Sequence, residues 1–239
     1  MGVIVFGYAL YLISQSFWHR TDYNRDVLLP GEQASELTKK GLRKQIVSLG
    51  GIKWLDTANS YYFVPVTQTS LKNPELTESL SEVSIGYGGG GYGRNYNNIL
   101  IYHIPSGNVQ PLFSSRINIF EYQILRDKST TLLLMIGWTE DSNQDGKLSE
   151  EDQSQVFYYS PDDRKLHEID IQGYRYIDNS FVTLKDGLVL RVRKDRNQDG
   201  EFDEVQDRAI LLHHSLADKT TKPIVSQPLL DQLQSIIDG

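Results

Sequence analysis

The chain has 239 residues, enough for one full-sized domain with a tail or for two small ones. An apolar fraction of 39% and 14 tyrosines against two methionines point to β structure, because tyrosine suits a pleated, half-buried surface. A net charge of −7 argues against a nucleic-acid binder, which usually shows a basic face, and the lack of cysteine excludes disulfides, thiolate nucleophiles and cysteine-held zinc.

Residues 2–18, GVIVFGYALYLISQSFW, carry no charge and give way abruptly to His19 and Arg20. As a helix they would reach about 26 Å, at the short end of what crosses a hydrocarbon core of roughly 30 Å, with Phe17 and Trp18 at one interface. Residues 1–18 therefore read as a membrane anchor, and a cleaved signal peptide is the rival, since Ser14-Gln15-Ser16 resembles a small-x-small cleavage site. Arg20, Arg25, Lys39, Lys40, Arg43 and Lys44 all follow the segment, a charge bias that would hold the domain inside. Residues 19–47 form a juxtamembrane linker in which ELTKKGLRKQIV (36–47) predicts a short helix.

From 48 to 226 the chain repeats itself. A shift of 54 residues lays Asp141-Ser-Asn-Gln-Asp-Gly146 on Asp195-Arg-Asn-Gln-Asp-Gly200, with Leu134 and Ile136 on Leu188 and Leu190 and Val156-Phe157 on Ile210-Leu211. A shift of 57 lays Val156–Tyr159 on Ile99–Tyr102, each followed by a turn at Pro161 or Pro105. GLVLRVRK (187–194) alternates with period two, as strands do, and YYFVPVTQT (61–69) and NNILIYHIPSGNVQPLF (97–113) belong to the first unit. Further strands are predicted at 117–125, 163–170 and 172–184. The expected fold is mostly β, with about three antiparallel units. Short strands recurring at this spacing resemble the blades of a β-propeller. Propellers usually close with at least four blades, so an open stack, closure with a partner chain, and a sandwich remain alternatives. SQPLLDQLQSIID (226–238) predicts an amphipathic helix capped by Ser226, with Pro228 in its first turn, covering an open sheet edge. Residues 227–239 are set apart as that helix.

DSNQDGKLSEED (141–152) resembles the loop of the EF-hand calcium-binding family, which places oxygen ligands at positions 1, 3, 5, 7, 9 and 12 with glycine at 6. The resemblance implies side-chain ligands from Asp141, Asn143 and Asp145, the carbonyl of Lys147, Ser149 directly or through water, and a final carboxylate from Asp152. In DRNQDGEFDEVQ (195–206) it implies Asp195, Asn197, Asp199 and the Glu201 carbonyl, and Asp203, Glu204 or Asp207 must close the shell because Gln206 stands where an acid belongs. Neither loop has the family's bidentate glutamate, which implies weak affinity, about 10⁻⁴–10⁻³ M as in extracellular modules, and hence a periplasmic or otherwise exported domain. The exit VFYYS before Pro161 is too short for a helix, so the loops are expected between strands.

GYGGGGYGRNYNN (86–98) contains a formal G-x-G-x-x-G, but no helix opens after it to hold a phosphate. It reads as a flexible connection, or as a binding surface using Tyr87, Tyr92, Arg94 and Tyr96. His103 and His214, at nearly equivalent strand ends, read as packing or solvent-exposed residues. The functional expectation is a membrane-anchored, exported, calcium-binding β-repeat module with a protein or glycan ligand and no nucleic acid. The alternatives are a polysaccharide-directed hydrolase or lyase and an EF-hand-type calcium sensor, the last of which requires helices around the loops.

Overall fold

The computed structural model of the chain describes residues 31–76, 95–128, 130–180, 187–195, 202 and 207–239. The anchor expected at 1–18 lies outside them. Among the described residues no helix is long and apolar enough to cross a membrane.

The first element among the described residues is helix α1 (Gly31–Lys39), which stops where Gly41 takes a left-handed φ of +67°. The helix expected over 36–47 is therefore displaced: it ends by Lys39, and Leu42–Leu49 forms strand β1 instead, paired antiparallel with the second half of β3 (Tyr61–Leu76). Tertiary pairing overrides local propensity here.

The strands form three antiparallel sheets, the first of five strands and the second and third of four strands each in the same order. In the first, β1 and β2 (Lys53–Asp56) share one edge of β3, and β4 (Asn98–His103) and β5 (Asn108–Pro111) follow on the other. The second runs β6 (Asn118–Arg126), β7 (Thr131–Trp138), β8 (Gln155–Ser160), β9 (Lys165–Ile169) in spatial order. The third runs β10 (Tyr174–Ser180), β11 (Leu188–Lys194), β12 (Ala209–Ser215), β13 (Thr220–Pro223). The strands expected from alternation and turn chemistry are all present, and the three-unit count holds.

The middle sheet is buried on both faces. Leu133 and Met135 of β7, with Phe157 and Tyr159 opposite them on β8, pack against Tyr61, Phe63, Ile99 and Ile101 of the first sheet. Their neighbours Leu132, Leu134, Ile136, Val156 and Tyr158 point the other way and pack against Leu188, Leu190, Val192 and Leu212 of the third. Alternation puts successive side chains on opposite faces, so the run TLLLMIGW supplies two cores from one strand. The result is a stack of three sheets in chain order. Closure into a ring is not seen among the described residues.

The 54-residue equivalence survives with one adjustment. Ile136 faces Val156, whereas Leu190, 54 residues on, faces Leu212 rather than Ile210. A slip of two residues preserves which side chains point inward; a slip of one would turn the strand over.

Helix α2 (Gln227–Asp238) forms with Pro228 near its start; Ser226 takes the extended backbone of an N-cap but, against expectation, makes no side-chain capping hydrogen bond. None of its residues is buried, and Leu229, Leu233, Ile236 and Ile237 are exposed, so it does not cover a sheet edge as expected. Gln227–Asp231 and Gln234–Asp238 hydrogen bonds, each 2.7 Å across one turn, support it locally.

Candidate metal centre

Both acidic loops leave the second strand of a sheet and return as the third: 141–152 lies between β7 and β8, and 195–206 between β11 and β12. Strands flank them on both sides, as expected, and this removes the helices a calcium sensor would move. In the first sheet the corresponding connection, between β3 and β4, holds the glycine-rich segment. Tyr87, Tyr92 and Arg94 lie outside the described residues; Tyr96 bridges to Ile119 and meets Tyr122 edge-on at 5.0 Å.

Loop 141–152 is organised by its short polar side chains. Asp141 accepts the N–H of Asp145 at 3.0 Å on Oδ1 and that of Gly146 at 2.7 Å on Oδ2. Asn143 Oδ1 also accepts the Asp145 N–H, at 3.0 Å, and Asp145 Oδ1 accepts that of Lys147, at 2.8 Å. The tight turn uses left-handed Gln144 (φ +61°) and Gly146 (φ +83°), which is why glycine is needed there. Ser149 Oγ accepts the Glu151 N–H at 3.3 Å. Leu148 is buried, and Asn118 Nδ2 donates to its carbonyl at 2.6 Å, fastening the loop to β6.

Asp152 closes the loop from beneath and is 3% exposed. Its Oδ1 accepts the Ser142 N–H at 2.8 Å, the Ser142 hydroxyl at 3.2 Å and the Asn143 N–H at 3.3 Å; its Oδ2 accepts, among the described residues, the Ser149 N–H alone, at 2.8 Å. A carboxylate offers about four lone-pair sites, so Oδ1 is saturated and Oδ2 keeps one. Asp152 can thus serve a cation through one oxygen and not as a chelating pair.

The donor set is oxygen-only, as a hard cation requires. Asp141 and Asp145 retain lone pairs beyond those given to main-chain N–H groups. The Lys147 ammonium lies 3.5 Å from Asp145 Oδ2, an ion pair between partly exposed groups that is weak enough to yield to a divalent ion. Beside the loop entry, burial first and then the charges of Glu140 and Asp170 raise the Glu168 carboxyl above its ordinary pKa. Among the described residues no three histidine or acidic side chains converge into a metal-binding group.

In the second loop Asn197, Asp199, Glu201 and Asp203 lie outside the described residues. Asp195 leaves the end of β11 half-buried, and Asp207, 2% exposed, precedes β12 much as Asp152 precedes β8.

Sequence reading missed a second polar cluster between the β8–β9 and β12–β13 turns. His167 Nε2 lies 2.7 Å from Asp163 Oδ2, and Lys219 Nζ lies 3.1 Å from His167 Nδ1 and 3.7 Å from Asp163. Tyr158 stacks on His167 at 4.8 Å and meets buried His214 edge-on at 5.7 Å. Burial works against the Asp163 carboxylate, but the His167 hydrogen bond, the Lys165 N–H and the charges of His167 and Lys219 outweigh it and hold the pKa below the ordinary value. His103 stacks on Tyr61 at 4.6 Å and meets Ser106 Oγ at 2.8 Å, a packing role as expected.

No protein-family model matches the chain, and no curated protein matches it.

Proposed function

We propose that this chain is a membrane-anchored, exported calcium-binding protein whose β-repeat domain serves as a binding module, with calcium as a static clamp on its strand connections. One observation carries the proposal. The two D-x-N-x-D-G segments occupy the same connection in successive sheets of identical order, and each connection ends on a buried aspartate, Asp152 or Asp207. Asp141, Asn143, Asp145, the Lys147 carbonyl, Ser149 and one oxygen of Asp152 would hold the first ion. Asp195, Asn197, Asp199, the Glu201 carbonyl and Asp203 or Asp207 would hold the second. A clamp needs no moving helix, and strands on both sides of each loop suit it.

Weak sites, with Kd about 10⁻⁴–10⁻³ M, fill where calcium is millimolar, which supports the exported side of the membrane. In 5 mM calcium, occupancy at such affinity adds about 1–2 kcal/mol per site to stability. Circular dichroism of the full chain in calcium and in chelator tests this: an unchanged β signal with a higher melting temperature supports the clamp, and identical melting curves refute it.

A further inference from the structure

A cavity of about 310 Å³ opens between the second and third sheets beside loop 141–152. Two β-bulges frame it. The β6 register against β7 slips between Ile119 and Glu121, leaving Phe120 as the extra residue; the β10 register against β11 slips between Tyr176 and Asp178, leaving Ile177. A bulge redirects a side chain out of the strand's alternation, and both redirected side chains line this one cavity. Phe120 stacks on Trp138 with centroids 4.8 Å apart and planes 29° apart, and it stays 37% exposed while Trp138 is buried. A flat apolar surface is thereby held firmly at the cavity's edge.

The polar part of the lining, which also includes Asn95, is balanced in charge. Arg175 and Glu150 bring one charge of each sign, and Arg175 Nη2 donates to the Glu150 main-chain carbonyl at 2.6 Å, tying β10 to the loop. Ser154 lines the wall at 5% exposure, and its hydroxyl has no hydrogen-bond partner among the described residues. A buried hydroxyl without a partner is costly, and a ligand oxygen is a natural complement. Phosphates and nucleotides collect on excess positive charge, which is missing here. A pyranose fits better, because its C–H face lies against an aromatic ring while its hydroxyls both donate and accept.

We propose that this cavity is a binding site for a neutral carbohydrate, stacked on Phe120 and held by Arg175, Glu150 and Ser154. The proposal rests on the reading of the domain as a binding module and names its class of ligand. Titration of the full-length protein with cellobiose, maltose, lactose and N,N′-diacetylchitobiose, by calorimetry and by tryptophan fluorescence, tests it, with sodium phosphate as the anionic comparison and each run repeated in calcium and in chelator. Expected is saturable binding of at least one disaccharide, weakened about tenfold by Phe120→Ala, the scale of one lost aromatic contact. Ser154→Ala should weaken binding without lowering the melting temperature, and Val109→Ala, on the exposed strand β5, should change neither. Phosphate preferred over every sugar, or no saturable disaccharide binding in either buffer, overturns the carbohydrate site and leaves any calcium-dependent melting unaffected. Sugar binding with melting indifferent to calcium keeps the site and refutes the clamp.

Discussion

The Asp152 carboxylate reaches back to the second residue of its own loop and accepts the Ser142 N–H at 2.8 Å, so the end of the connection fixes its beginning. With the Asn143 and Ser149 N–H groups also held, this acid shapes the loop before any ion arrives. Asp152→Ala should lower stability by about 2 kcal/mol, or roughly 4–8 °C in melting temperature at this chain length, in chelator. A thermal scan checks this, and an unaltered midpoint would mean that the carboxylate matters only to the metal.

Gly137 is a packing requirement. A Cβ there would meet the Asn118 carbonyl oxygen at 2.5 Å and the Ile119 Cα at 3.0 Å, both backbone atoms that cannot swing aside. Gly137→Ala is expected to cost about 2–3 kcal/mol by urea denaturation, as overpacking does. It should also disturb the neighbouring bulge at Phe120.

Because β7 serves two cores, adjacent truncations on it should be felt in different sheets. Leu134→Ala and Met135→Ala should each cost about 2–5 kcal/mol. Hydrogen exchange separates them: Leu134→Ala should speed exchange in β11, and Met135→Ala in β4. The same exchange pattern for both would contradict the stacked order.

Acid should destabilise the domain through His214, which is 1% exposed. Burial first, then the charges of His213, His167 and Lys219, push its pKa down to about 4. Its Nδ1 meets Thr221 Oγ1 at 3.1 Å, and its Nε2 has no partner among the described residues. The unfolded chain, with a histidine pKa near 6.5, takes up the proton first, so stability falls between about pH 6.5 and 4, by about 3 kcal/mol in all. Asp163, whose folded pKa is lowered, adds a loss in the same direction at lower pH. Urea unfolding at pH 7 and pH 4.5 should show a smaller difference in His214→Leu than in the unmodified protein.

The units were legible because strand alternation and the D-x-N-x-D-G signature repeat at one spacing. Leu188, Leu190 and Val192 announce both a strand and its inner face. Residues 42–49 misled because β1 buries no residue; Val47 is 72% exposed, so no alternation marks the strand. The double burial of β7 was written in an unbroken apolar run, which marks a strand covered on both faces. The bulges at Phe120 and Ile177 depend on register, a relation between strands that no single segment encodes. The exposed face of α2 shows the limit of amphipathic patterning: the pattern marks an apolar side and says nothing of what meets it.

The central claim is that two equivalent loops each take a calcium ion, and counting the ions tests it most directly. Calorimetric titration of the full chain with calcium chloride should give two sites per chain, one after Asp141→Ala, one after Asp195→Ala and none after both. Heat indistinguishable from dilution in the unmodified protein, or two sites persisting in the double variant, would contradict it.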